Sequence, residues 1–111
     1  MKRNDILRHL KQALQRYAMD SYSRFVSLDG SKIQEIHGAP SDSPDADYCI
    51  TEVEVLDRWN SGPVDVLHVA VTVNDGFQTF VGALFFQSDG KVRISSEICT
   101  VTDGVAEPIQ E

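Results

Sequence analysis

The 111-residue sequence predicts an α+β domain in which an N-terminal amphipathic helix packs on a four- to five-stranded antiparallel meander. Three observations predict it. Apolar residues near the N-terminus recur at helical spacing, the hydrophobic period falls to two from Tyr48 onward, and glycine-bearing turn sequences punctuate the second half. With 41% hydrophobic residues the chain can build one modest core but not two, so a single domain over 1–111 is expected.

The helix is predicted over 5–18. Ile6, Leu7, Leu10, Ala13, Leu14, Tyr17 and Ala18 fall on one stripe, with Arg8, Lys11, Gln12 and Arg16 on the opposite, basic face. Asn4 or Asp5 offers a capping oxygen to an orphan amide of the first turn. Next, Arg24–Leu28 and Lys32–His37 flank the turn dipeptide Asp29-Gly30 and read as short strands, although a helix through 24–28 also fits. Residues 39–46, APSDSPDA, have two prolines and no periodicity and are expected to form a loop.

Strands are predicted at about 48–58, 64–73, 77–87 and 91–100, with turns at 60–63, 74–76 and 88–90. In the first, Cys49, Thr51, Val53 and Val55 alternate with Ile50, Glu52, Glu54 and Leu56, giving one apolar face and one acidic centre. A two-residue loop at Asp75-Gly76 pairs Val71 with Phe80; a three-residue loop with a glycine bulge pairs Val71 with Thr79. The tail 102–111 lacks periodicity and is expected to fray or to lie along the surface.

The third predicted strand is apolar on both faces: Phe80, Leu84 and Phe86 on one, Val81, Ala83 and Phe85 on the other. One helix covers only one of them. Burying each large side chain is worth about 1.5–3 kcal/mol, so a cover for the second face is expected. The candidates are the N-terminal strand pair folded back, a second copy of the chain in a homodimer, a different protein, or an apolar ligand.

Net charge is −7, from 17 acidic and 10 basic residues, which argues against nucleic acid or an anionic membrane as partner and for a basic protein. The charge is unevenly spread: residues 1–32 carry net +4 and the rest net −11. Asp42, Asp45, Asp47, Glu52, Glu54 and Asp57 run without an intervening cation until Arg58, and Trp59 follows as a candidate interface anchor. These seven residues form the predicted partner-binding site. In MKRNDILRHLKQAL the apolar positions are broken every two or three residues, so neither a signal-peptide core nor a spanning segment is expected, and a cytoplasmic location is.

No catalytic or cofactor motif is present, and no catalytic residue, metal or cofactor is expected. Glu52 and Glu54 share a strand face with about 7 Å between them, a spacing compatible with paired-carboxylate chemistry, but nothing beside them suggests a sugar. DSPDAD lacks the glycine and terminal glutamate of a calcium loop. His9, His37 and His68 have no nucleophile at a recognisable spacing, and His68 reads as a packing residue or as a polar group in a pocket. Cys49 and Cys99 lie three strands apart in the predicted meander, about 14 Å at about 4.8 Å per step, so both are expected to be free thiols.

In its small size, its acidity and its lack of a catalytic motif, the chain resembles the immunity proteins with which bacteria neutralise their own toxins. The resemblance implies non-enzymatic binding to a basic toxin domain, with carboxylates standing in for phosphate. The alternative is a helix-on-curved-sheet domain similar in outline to the cystatin-like and nuclear-transport-factor-like folds. There the second apolar face would line a pocket holding His68 and would bind a small apolar ligand or act as an enzyme.

Overall fold

The computed structural model describes residues 1–28, 30–39 and 47–109. Helix α1 spans Arg3–Ala18 and buries Ile6, Leu7, Leu10, Ala13, Leu14 and Tyr17. It starts before the predicted cap: Lys2 holds the N-cap position without a side-chain bond, and Asp5 lies inside the first turn, where it complements the helix dipole and pairs with Arg8 at 2.9 Å. Of the two readings open for 24–28, the structure has the helix: a short α2 spans Tyr22–Val26. Ser21 nucleates it by accepting a hydrogen bond from the Arg24 amide at 3.3 Å, and Phe25 sinks into the core beneath.

The described strands are β1 (Lys32–His37), β2 (Cys49–Ser61), β3 (Val64–Asn74), β4 (Thr79–Gln87), β5 (Val92–Ile94), β6 (Cys99–Thr102) and β7 (Val105–Pro108). All pairings are antiparallel, in the order β1-β2-β3-β4-β6-β7, with β5 also on β4. The fold is therefore α+β with a helix on an antiparallel sheet, but the sheet has seven strands rather than four or five. The strand expected at 91–100 is broken in two: Val92–Ile94 pairs with the C-terminal half of β4, the Ser95 amide still donates to the Ala83 carbonyl at 3.0 Å, residues 96–98 leave the ladder, and Cys99–Thr100 rejoins its N-terminal half. As far as Pro108 the tail takes the second of the two expected forms, an exposed hairpin on the surface. β6 and β7 form a hairpin around Asp103-Gly104, both at positive φ (51° and 78°), as a two-residue primed turn requires.

The turn after β3 matches neither predicted register. Asn74 pairs with Thr79 and Val71 with Gly82, which leaves four loop residues. Asp75 explains the extra length: its Oδ1 accepts the amides of Phe77 and Gln78 at 2.9 and 2.7 Å. The other oxygen, Oδ2, accepts no hydrogen bond and lies 3.5 Å from the Met1 amino group, both groups being buried.

One sheet face carries Val53, Val69, Val71, Val73, Phe80, Leu84 and Phe86, and α1 lies across it. At Gly82 the helix approaches closely enough that an added Cβ would stand 2.7 Å from Leu14 Cδ1. At the β1 side, Arg16 pairs with Glu35 at 2.7 Å, the Tyr17 hydroxyl donates to the same carboxylate, and His9 meets His37 with ring centroids 5.1 Å apart. Because β1 extends the sheet at its edge, the N-terminal segment does not fold back over the second apolar face.

Candidate protein-docking face

The face turned away from α1 is built by the even positions of β3 and the odd positions of β4. His68 pairs with Phe85, Ala70 with Ala83 and Thr72 with Val81. On β2 the outward residues are Glu52, opposite Thr72, and Glu54, opposite Ala70. A β-bulge between Val55 and Asp57 then changes the parity of the strand: Leu56 is the extra residue, Asp57 opposes His68 and Trp59 opposes Val66. Strict alternation would have put Asp57 and Trp59 on the opposite face from Glu52 and Glu54. The bulge sets all four on one face.

Aromatic side chains form its centre. Phe85 stacks on His68 at 4.9 Å with only 12° between the rings, and Trp59 meets Phe85 edge-on at 6.1 Å. On the neighbouring strand the Arg93 guanidinium lies 4.3 Å over the Phe85 ring. These neighbours leave Phe85 half-buried, whereas Trp59 remains 40% exposed and Leu56 56% exposed. The second apolar face is thus partly covered by its own rim.

Beside this row opens a cavity of about 370 Å³, lined by Leu56, His68, Ala70, Val81, Gly82, Ala83 and, from the stretch between β5 and β6, Ser95, Glu97 and Cys99. Inside it the Cys99 thiol lies 3.7 Å from Glu97 Oε1. Burial, then the Glu97 charge and hydrogen bond, push that thiol above its ordinary range. Cys99 is therefore held as the neutral thiol, a poor nucleophile. Cys49 is buried on the helix side of the sheet, and its thiol is also pushed up, by burial and then by Asp75. Both cysteines are free.

Of the predicted site residues, Glu52, Glu54, Asp57 and Trp59 come together on this face. Asp42 and Asp45 lie outside the described residues. Asp47 precedes β2 at the far end, where its carbonyl packs against Gly38, and its charge acts on His9 and on Cys49 rather than near Trp59. Two cations share the face: Lys32, whose Nζ donates to Glu52 at 3.2 Å, and Arg93 on its aromatic seat. Glu54 stands across from Lys32 in register. Arg8 and Arg16 lie on the helix side of the sheet, away from Glu52 and Glu54, and are paired there with Asp5 and Glu35. Among the described residues no three His, Cys, Asp or Glu side chains are grouped to hold a metal ion, and no helix is long and apolar enough to cross a membrane.

Leu56, Phe85, Glu97 and Cys99 were not picked out from the sequence as parts of a site. For Phe85 the signal was present, as the unexplained second apolar face of its strand. Leu56 depends on the bulge and Glu97 on the interruption of the edge strand, and neither follows from residue spacing. No protein-family model, curated protein or solved structure matches the chain.

Proposed function

We propose that the protein acts by binding rather than by catalysis, and that the face of Glu52, Glu54, Leu56, Asp57, Trp59 and Phe85 docks a basic protein, in the manner of an immunity protein neutralising a toxin domain. One observation carries this reading: the β2 bulge gathers three carboxylates and an exposed tryptophan onto the same face as the apolar side chains that α1 leaves uncovered. A half-buried aromatic centre with a charged rim is the anatomy of a protein interface, and the sign of the rim selects a basic partner.

The test requires a basic binding partner, for which the products of neighbouring genes are the first candidates to screen. The double reversal Glu52→Lys with Glu54→Lys should slow association and weaken binding by at least about tenfold, and the parent's association rate should fall as salt shortens the screening length to about 8 Å. Reversing Arg8 and Lys11 to Glu should leave binding within about twofold. The reverse pattern, with the helix variant failing and the strand variant binding, would place the interface on the helix.

The cavity favours a second reading, in which a small apolar ligand sits against Ala70, Val81 and Ala83 with His68 at its edge. That reading requires a neutral apolar probe to bind as well as a charged one.

A further inference from the structure

Resting on the docking reading above, we infer that the cavity beside Phe85 is the receptor for one basic side chain of the partner, a lysine or arginine, with Glu97 as its charge partner. The lining divides into two chemistries. Its floor is Ala70, Val81 and Ala83, with Ala70 opposite Ala83 across β3 and β4, and Leu56 from the bulge forms one wall. The opposite wall is Ser95, Glu97 and Cys99, where residues 96–98 bow off β4, and it brings a carboxylate to a trough whose other polar side chains are His68 and Ser95. Glu97 is held there by its own backbone, its amide donating to Ser95 Oγ at 3.3 Å, and its Oε1 meets a thiol at 3.7 Å, a weak donor.

An occupant that desolvated this carboxylate without offering a strong donor would leave a charge uncompensated, which disfavours a purely apolar ligand. An anion would meet Glu97 directly, with Glu54 and Asp57 on the same face opposite the lining residues Ala70 and His68. Lysine and arginine match both halves, since each carries an aliphatic stem that lies along apolar surface and a cationic tip that reaches a carboxylate. The neighbouring row already shows the preference, with Arg93 of this chain seated over the Phe85 ring at 4.3 Å. The cavity, at about 370 Å³, is large enough to take such a side chain whole.

The experiment titrates the isotope-labelled full chain with n-butylguanidinium, n-butylammonium and n-butanol, following backbone amide shifts. Both cations should give saturable shifts clustered at Ala70, Ala83, Ser95 and Cys99, with dissociation constants in the millimolar range expected of an exposed ion pair with a short stem, and n-butanol should bind at least about fivefold more weakly. Glu97→Gln should reduce cation affinity by at least about fivefold and bring it to the level of the alcohol. Ala83→Leu, which fills the floor but leaves Glu97 in place, should abolish the shifts for all three probes. Equal binding of n-butanol and the cations, undiminished cation binding by Glu97→Gln, or shifts scattered over the surface would each overturn the inference. The docking reading fails separately: if the Glu52/Glu54 reversal weakens the protein partner while the probes do not bind, the face docks a basic protein and the cavity is not its receptor.

Discussion

At Gly82 helix and sheet fit too tightly for a side chain, and replacing it with alanine puts a number on that fit. A Cβ there would lie 2.7, 3.1 and 3.3 Å from Cδ1, Cδ2 and Cγ of Leu14, where carbon atoms at their optimum sit about 3.5–4.0 Å apart. Leu14 is 3% exposed and packed in the core, so it cannot swing clear, and α1 must shift outward or the leucine must leave its rotamer. Overpacking of this kind costs about 1–3 kcal/mol. Alanine returns about 0.5–1 kcal/mol by restricting the unfolded chain, since the backbone at Gly82 is not in the left-handed region. The net loss should be about 1–2 kcal/mol, read as a lower urea midpoint at unchanged slope by far-ultraviolet circular dichroism. The decisive measurement is the same substitution in a Leu14→Ala background. Leu14→Ala alone should cost about 2–5 kcal/mol through the cavity it leaves, and the added Cβ then enters that cavity. Gly82→Ala should there become neutral or stabilising, giving a coupling of at least about 1 kcal/mol. An equal cost in both backgrounds would show that the Leu14 contact is not what demands glycine.

Three further outcomes follow from the geometry. Burial, His37 and Arg8, in that order of clear effect, lower the His9 pKa against the opposing pull of Asp47 and Asp5, so the folded protein holds His9 neutral where the unfolded chain takes up a proton. Stability should therefore be steady above about pH 6.5 and fall as pH drops below it, and His9→Gln should flatten the urea midpoint between pH 5 and 7; an unchanged slope in that variant would exclude His9 as the cause. Asp75→Ala removes the acceptor of two loop amides and the partner of a buried amino group and should cost about 2–4 kcal/mol, whereas Asp75→Asn, which keeps an oxygen for the amides, should cost less; equal losses would mean the amide bonds contribute little. Alkylation without reductant should label Cys99 before Cys49 in the native protein and both after unfolding, and a disulfide-linked pair by mass would contradict the free thiols of the structure.

The sequence was most informative where a single periodicity governs a segment. The stripe from Ile6 to Tyr17 specified α1 to within two residues, and the two apolar faces of residues 80–86 announced a surface that one helix cannot cover. Legibility failed where a local side-chain bond outweighs pattern. Ser21 decides between strand and helix in favour of α2, Asp75 stretches a turn to four residues, and Asp103-Gly104 folds an aperiodic tail into β6 and β7. In the candidate site the carboxylates of β2 were visible as a charge run, but their relation to Trp59 was not. A run says which residues are close in the chain, and the face each one occupies beyond Val55 depends on one bulged residue.

That bulge also determines which length changes β2 can absorb. Leu56 is the one residue of the strand without a cross-strand partner of its own, so deleting it should leave Val55 opposite Val69 and Asp57 opposite His68, with Trp59 still facing Phe85. The deletion would regularise the ladder and remove only a wall of the cavity. Inserting one more residue at the same place has the opposite result: every position from Asp57 to the hairpin tip would have to exchange faces or slide in register, which would drive an aspartate and a tryptophan toward the helix side. For a family of variants differing in chain length, β2 is therefore tolerant of loss and intolerant of gain at Leu56, an asymmetry that substitution experiments would not detect.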